Sequence, residues 1–541
     1  MDLEKIKNVF PLEKDIPKEF AIQEFIEQRE YLIDGEIRYW AGAVQEIQSP
    51  VCIVDKSGKV SRKAIGSTPL LTSKESTEAL EAAVKAYNLG HGYWPTLTVN
   101  ERISHMERFV SKMKEKRHEI VKLLMWEIGK SLKDAEKEFD RTVVYIIDTI
   151  NALKDSDRDA SRFEMQEGVL AQIRRVPLGV AVCMGPFNYP LNETFSTMMP
   201  ALLMGNTVVF KPAKYGVLLI QPLLEAFKEC FPKGVINVIF GSGRAIIGPL
   251  METGKVDLFA FIGTNTGAND LKKLHPKPHR LKAVLGLDAK NPGIVLADAD
   301  LQVAVKESIL GSLSYNGQRC TALKILFVHK NIVDKFIEAF TEELGKLKIG
   351  MPWDEGVSLT PLPEPGKTDY LKGLVDDALQ HGAKVMNPNG GVVNETFFYP
   401  AVMYPVNEHM RLYKEEQFGP VIPIVPFSDV ETPIRYIVNS SFGQQASIFG
   451  KDSKQIAYLI DALVNQVSRI NINAQCQRGP DTMPFNGRKD SAEGTLSVKD
   501  ALRAFSIRAL VATKDSEDNK EIIRQIIRER QSSFLTTDYI L

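Results

Sequence analysis

Val180-Ala181-Val182-Cys183 and Thr207-Val208-Val209-Phe210 are two short β-rich runs, separated by Gly185-Pro186-Phe187-Asn188-Tyr189-Pro190 and an apolar segment whose only charge is Glu193. The stretch 176–210 is apolar enough to imitate a membrane span. Gly179, Gly185, Pro186, Asn188, Pro190, Pro200, Gly205 and Asn206 punctuate it, however, and break a spanning helix. It reads instead as two buried strands with a loop and a helix between them. The alternation continues with helical segments at 217–230 and 267–274, strands near 293–296 and 324–328, and a helix at 332–347. Strand-helix-strand repetition predicts an open parallel sheet with helices on both faces. Two such units in series predict two α/β domains with a cleft between them, where ligands usually bind.

Upstream, at 73–153, Ala, Leu, Glu and Lys dominate, and Ile120, Leu123, Leu124 and Ile128 recur at helical spacing, which predicts a helical layer. Downstream, Val169, Ala171 and Ile173 alternate with polar neighbours, so 166–175 is expected to form a strand pairing outside the main sheet, as is 505–512. A charged tail, 516–541, is expected to contain a helix at 521–530.

A chain of 541 residues can hold three or four domains and bury a sizeable core. Its 67 Lys and Arg against 68 Asp and Glu leave a net charge of −1, which supplies no basic field for nucleic acid or an anionic membrane. The five cysteines, Cys52, Cys183, Cys230, Cys320 and Cys476, are dispersed, odd in number and without a CxxC pair. They argue against a disulfide framework or zinc site and for a reducing, cytoplasmic setting. The start, Met1-Asp2-Leu3-Glu4-Lys5, lacks the features of a secretory signal. No HExxH occurs, and His275 and His279 enclose Pro276 and Pro278, so no metal is expected. Gly129-Lys130-Ser131 lacks the earlier glycine of a phosphate loop, and GxSxG is absent.

The segment Tyr315-Asn316-Gly317-Gln318-Arg319-Cys320-Thr321-Ala322 carries the most chemistry. A glycine-led turn delivers a cysteine to the start of a strand, with a guanidinium directly before it. A nearby cation favours the thiolate, the reactive form. Two readings fit: a nucleophile, or a small buried hydrophobe of the kind most free cysteines are. Asn188 also has two readings. Held between prolines at a strand's end, its amide can face a developing oxyanion, or it can simply form the turn.

Five segments in order make the chain resemble the aldehyde dehydrogenase superfamily over 79–514: Gly185-Pro186-Phe187-Asn188-Tyr189-Pro190, Lys211-Pro212-Ala213, Phe261-Ile262-Gly263-Thr264, Gly317-Gln318-Arg319-Cys320 and Glu416-Gln417-Phe418-Gly419-Pro420-Val421. The resemblance implies an α/β chain in three parts. A Rossmann-like cofactor domain takes 1–157, which includes the helical layer, and 177–286. A catalytic α/β domain takes 287–485, and a small β oligomerisation element with the tail takes 158–176 and 486–541. A homodimer or homotetramer is implied. So are Cys320 as nucleophile and an oxyanion held by Asn188 and the Cys320 backbone N–H. Lys211 would reach the adenosine ribose, and Gly263 and Thr264 would open a helix near Gly267 for the pyrophosphate. Glu416 would hold the nicotinamide ribose and Phe418 would lie against the ring.

Within the superfamily the chain most resembles the non-phosphorylating, NADP-dependent glyceraldehyde-3-phosphate dehydrogenases. The residues that carry this are Gln318-Arg319-Cys320, Tyr189, Asp140-Arg141-Thr142 and Cys476-Gln477-Arg478-Gly479-Pro480. A phosphorylated small aldehyde is implied, bound by Arg141, Tyr189, Arg319 and Arg478, whose charge-assisted donors suit a dianion. Lys214 stands where NAD-preferring members often place a carboxylate. It would attract a 2′-phosphate, so the implied cofactor is NADP.

Leu285-Gly286-Leu287-Asp288-Ala289-Lys290-Asn291-Pro292 departs from the family's Glu-Leu-Gly-Gly-Lys motif. Aligning Lys290 puts Gly286 where the general-base glutamate belongs. Loss of a general base typically removes a factor of about 10² to 10⁴ from the step it serves. Three outcomes are open. Asp288, on the same side of an extended segment, replaces the base; the thioester passes to phosphate or CoA in an acylating dehydrogenase; or the chain binds NADP or a sugar phosphate without turnover.

Overall fold

The computed structural model describes residues 3–538. Val180–Met184, Thr207–Lys211, Ile236–Val238, Leu258–Ile262 and Lys282–Gly286 form a parallel sheet. The first four are continuous buried runs, as strands covered on both faces must be. The first strand lies in the middle, the next two are added on one side, and the last two on the other. That reversal puts a switch point between Val180–Met184 and Leu258–Ile262, where the crevice beyond the carboxyl ends is the natural ligand site. The loop bearing Asn188 leaves Met184, Lys211 ends its strand, Gly263 follows Ile262, and Gly286 ends the fifth strand. Four positions singled out by sequence therefore share one edge of this sheet.

In the second large sheet Asn291–Val295, Leu323–His329, Ala401–Tyr404, Val421–Phe427, Gln445–Phe449 and Arg469–Ile472 run parallel. Cys320 enters just before Leu323–His329, and Glu416 and Phe418 just before Val421–Phe427. A third, separate sheet pairs Ser506–Lys514 antiparallel with Val169–Pro177 along its whole length, and Val169–Pro177 in turn pairs with Phe163–Gln166. Both strands expected outside the main sheet are there.

The helical layer consists chiefly of Ser73–Tyr87, Val99–Glu115, Arg117–Ile128 and Leu132–Ala160. Thr72 with Glu75 and Thr98 with Glu101 form capping boxes that start the first two. The buried Glu127 fastens the third helix to the sheet side, accepting the N–H groups of Val217 at 2.9 Å, Leu218 at 2.9 Å and Leu219 at 3.2 Å.

Some elements differ from the sequence expectation. Segment 217–230 splits into a 3-10 turn, Leu218–Leu223, and a helix, Leu224–Cys230, with Pro222 in the turn, where its missing N–H is tolerated. The tail helix is Glu517–Arg528, starting earlier than expected because the Ser516 hydroxyl caps it by accepting the Asn519 N–H. Residues 26–69, for which no element is expected, form strands, the longest being Val44–Val54 and Val60–Pro69. Among the described residues no helix is long and apolar enough to cross a membrane.

Candidate active site

The turn before Cys320 has an unusual backbone. Tyr315, Asn316 and Gly317 have φ of 49°, 54° and 71°, three successive residues in the left-handed region. Each is anchored. The Tyr315 hydroxyl donates to the Ile128 carbonyl at 2.9 Å. The Asn316 amide donates to the Thr360 carbonyl at 3.0 Å while its Oδ1 accepts the Thr360 N–H at 3.1 Å. A Cβ on Gly317 would lie 2.6 Å from the Ser312 carbonyl oxygen. Neighbours that over-determine a conformation in this way hold its strain in place. The turn delivers Cys320, the one cysteine of the five that is not buried, and that exposure favours the nucleophile reading.

Asn188 meets this turn from the other sheet. Its amide donates to the Gln318 carbonyl at 2.8 Å, two residues before the cysteine. Its own carbonyl accepts from Lys130 Nζ at 2.8 Å. Lys130 is wholly buried and ion-paired with the equally buried Glu138, whose Oε1 accepts the N–H groups of Leu191 at 3.0 Å and Asn192 at 3.2 Å. The ammonium also lies 3.6 Å from the centre of the Tyr189 ring. Burial pulls the Lys130 pKa below the usual lysine range, with the Glu138 charge opposing. Neither residue is marked by local sequence, since the loop they hold is 58 positions from Lys130.

On the second sheet, Asn291 Nδ2 donates to the carbonyls of Cys320 at 2.7 Å and Ala322 at 3.1 Å. Lys290 Nζ donates to the Glu415 carbonyl at 2.5 Å and to Gln417 Oε1 at 2.6 Å, fixing the segment that carries Glu416 and Phe418. Glu416 itself is ion-paired with the buried Lys324, which also donates to the carbonyls of Ala289 at 3.1 Å and Cys320 at 3.4 Å. Burial pulls the Lys324 pKa down to about 7, with the charges of Cys320 and Asp288 opposing. Lys324 is a further site residue that sequence reading missed. Phe418 packs edge-on against Phe187, ring centres 5.8 Å apart, and so adjoins the Asn188 loop.

Along the cofactor edge, Lys211 is 7% exposed and has no carboxylate partner among the described residues. Burial, then the neighbouring Lys214, lower its pKa to about 8. A desolvated lysine without a counter-charge suits an anionic or polar ligand. Thr264 caps Asn265–Lys273, its hydroxyl accepting the Gly267 N–H at 3.2 Å. This helix starts two residues earlier than the sequence indicates, and Asp288 Oδ2 accepts the Asn265 N–H at 2.9 Å. Asp288 thus sits at the helix N-terminus where the resemblance puts a pyrophosphate.

The four residues implied for a substrate phosphate are gathered, but with partners. Asp481 takes Arg141 in a two-pronged pair at 2.8 and 2.6 Å, and lies 3.3 Å from Arg478. Arg478 is also ion-paired with Glu193. Among the described residues Arg319 has no carboxylate partner; its Nη2 donates to the carbonyls of Leu310 at 3.1 Å and Gly311 at 2.9 Å and to Gln475 Oε1 at 3.2 Å, and its buried Nε has no hydrogen-bond partner there. Burial pushes the Tyr189 hydroxyl up to about 12, with Arg319 and Arg141 among the charges acting on it. Three guanidiniums against Asp481 and Glu193 leave one net positive charge.

The buried pair invites a direct test. Lys130→Met leaves Glu138 an uncompensated buried charge and is expected to cost about 3 to 5 kcal/mol. The double variant Lys130→Met, Glu138→Leu should recover much of that loss, and unfolding by urea of the two single variants and the double variant checks it.

Comparison with known proteins agrees with this geometry. A family pattern described as "Aldehyde dehydrogenase family" matches residues 52–510. A NADP-dependent glyceraldehyde-3-phosphate dehydrogenase of Streptococcus equinus is 32% identical over 460 residues, 84% of this chain and 92% of that relative. The crystal structure of NADP-dependent glyceraldehyde-3-phosphate dehydrogenase from Bacillus halodurans C-125, complexed with NADP, is 31% identical, with a TM-score of 0.81 over 91% of this chain and 100% of that one. A betaine aldehyde dehydrogenase of Staphylococcus aureus in complex with NAD+ is 26% identical, with a TM-score of 0.81 over 92% of this chain and 97% of that one. The breadth of these matches, together with a cysteine turn, an amide-bearing loop and a lysine-lined edge set around one cleft, establishes that the chain belongs to the aldehyde dehydrogenase family.

Proposed function

We propose that the protein oxidises a phosphorylated small aldehyde, glyceraldehyde 3-phosphate above all, to its acid with NADP, through a thiohemiacetal and a thioester on Cys320. The observation that carries this is the 2.8 Å bond from the Asn188 amide to the Gln318 carbonyl, which sets an amide donor against the turn of an accessible cysteine. The Cys320 thiolate attacks the aldehyde carbon, and the oxygen that becomes anionic exchanges with the Gln318 carbonyl for Asn188 Nδ2 and meets the Cys320 N–H. Bound nicotinamide supplies the acceptor for the hydride. Water then cleaves the thioester and frees the cysteine.

Lys211, Lys214, Gly263 and Thr264 would hold the cofactor, with Glu416 released from Lys324 to receive a ribose and Phe418 beside the ring. The two lysines, and the NADP named for two of the relatives, support NADP over NAD. For the substrate phosphate, Arg319 is the guanidinium of the three without a carboxylate partner among the described residues, so it is the principal contact, with Tyr189, Arg141 and Arg478 around it. The division into 1–157 with 177–286, 287–485, and 158–176 with 486–541 belongs to the same reading. So does homo-oligomerisation, supported by the exposed Ile507, Leu510 and Val511 on the outer strand of the third sheet.

Gly286 supplies no base. Asp288 is our candidate for the role, as the carboxylate two residues along the same segment, and it would have to release the Asn265 N–H to act. A second reading, transfer of the thioester to phosphate or CoA, is favoured by the space at Gly286. A Cβ there would make only ordinary contacts, at 3.4 to 3.5 Å, with Ile262 and Leu496.

Rapid mixing with NADP and glyceraldehyde 3-phosphate, without phosphate or CoA, is expected to give sustained NADPH formation that Cys320→Ser abolishes. Asp288→Asn should keep the first-turnover burst and slow later turnovers about 10²-fold or more, whereas an unchanged steady rate removes Asp288 from the role. A burst that stalls until phosphate or CoA is added supports the acylating reading, and Gly286→Glu should then relieve the stall.

Arg319→Gln should raise the KM for glyceraldehyde 3-phosphate by about 10- to 100-fold, as expected for a lost charge-assisted contact of about 1.5 to 3 kcal/mol. It should leave propionaldehyde oxidation nearly unchanged. Equal effects on both aldehydes would remove the phosphate assignment.

From about pH 7, where the 2′-phosphate is a dianion, up to about 8 NADP affinity should be full, and it should weaken as Lys211 loses its proton above about 8. Titrating Kd against pH for the native chain and for Lys211→Met, which should lack the fall above pH 8, checks the sign.

A further inference from the structure

Away from the cleft, the C-terminal segment forms one side of a half-open cavity of about 650 Å³. Its walls are the first turn of Val99–Glu115, the last turns of Leu132–Ala160, the strand Val169–Pro177 and residues 527–538. The volume lies within the range of small-molecule sites, about 300 to 1,000 Å³.

That side is fastened from below. The Thr536 N–H donates to Gln172 Oε1 at 3.2 Å, and its carbonyl accepts from Gln172 Nε2 at 2.6 Å and Arg174 Nη2 at 3.0 Å. The tail helix Glu517–Arg528 buries no residue, yet Leu535 beyond it is 7% exposed. The tail is therefore held chiefly at the cavity.

Arg102, Arg174, Arg175 and Arg530 line this space against Asp157 and Asp538. Arg102 is buried and donates to the carbonyls of Leu203 and Leu97, with the Asp157 charge acting on it. Arg174, 8% exposed, pairs with Asp157 at 2.7 Å, but among the described residues its buried Nε has no hydrogen-bond partner. Four guanidiniums against two carboxylates leave this lining with two net positive charges, an excess that an oxyanion completes. Leu97, Leu153, Met204 and Phe534 supply apolar wall to the same space.

We propose that this cavity is a second ligand site, for a small organic anion in which a phosphate or carboxylate head is joined to an apolar body. Arg102 and Arg174 take the head, and the segment 532–538 covers the body. The site is independent of the reading of the cleft.

The test uses the full chain carrying Arg319→Gln, so that the cleft does not contribute a phosphate contact. Phenyl phosphate and benzoate are titrated by calorimetry, with benzyl alcohol as the neutral counterpart. Saturable binding of either anion is expected, with slowed amide exchange across 532–538. Phenyl phosphate alone assigns a phosphate ester, benzoate alone a carboxylate, and both a site that reads charge. Ser156→Trp fills the cavity from its helical wall while leaving every arginine in place, and should weaken binding at least tenfold while NADP binding is retained. Arg174→Lys keeps the charge, loses the fork and should weaken binding about tenfold. No saturable binding of either anion, equal binding of benzyl alcohol, or unaltered binding in a folded Ser156→Trp protein would each overturn the proposal.

Discussion

A lysine and a glutamate with no exposure to water, Lys130 and Glu138, form the joint on which the cleft depends. Two buried charges are costly to desolvate, and their mutual attraction offsets that cost only when the remaining donors and acceptors are also used. Here they are used on a single target. Lys130 holds the Asn188 carbonyl, and Glu138 holds the N–H groups of Leu191 and Asn192, so both ends of the loop are gripped from the helical layer. The Asn188 side chain then crosses to the cysteine turn of the other sheet. Helical layer, cofactor-side sheet and nucleophile-side sheet are thereby linked through one loop.

The same economy of charge runs through the rest of the site. Glu416 is matched to Lys324, Arg141 and Arg478 to Asp481 and Glu193, and Asp288 to the first amide of a helix. A ligand entering such a site exchanges partners instead of filling bare charges. Its affinity is a difference between two sets of hydrogen bonds, each strong in isolation and modest in net effect. Lys211 and Arg319 stand apart because, among the described residues, no carboxylate is paired with either.

How much of this was legible in the sequence follows from how far apart the interacting residues are. The first buried parallel strand could be read because Val180–Met184 is a continuous apolar run bounded by Gly179 and Gly185, a signal contained in a few residues. The turn around Cys320 and the loop around Asn188 were legible for the same reason. Lys130, Glu138, Lys324, Glu193 and Asp481 were not, because each acquires its meaning from a partner brought near by folding; Arg141 and Asp481 are 340 residues apart. Helix ends failed more locally. Asn265–Lys273 begins early because Asp288, 23 residues on, caps its first amide. The ribbon of Val44–Val54 and Val60–Pro69 escaped notice because its burial is irregular along each strand and its register shifts.

The left-handed turn at Tyr315, Asn316 and Gly317 bears on which changes this protein can tolerate. Serine in place of Cys320 asks nothing new of the backbone, whereas a β-branched residue at Asn316, or any side chain at Gly317, asks the chain to leave a conformation fixed by Ile128, Thr360 and Ser312. The positions with the least chemistry in this segment are thus the least replaceable. In a survey of substitutions across 315–320, intolerance would trace the shape of the main chain, and the thiol would stand out only where turnover itself is scored.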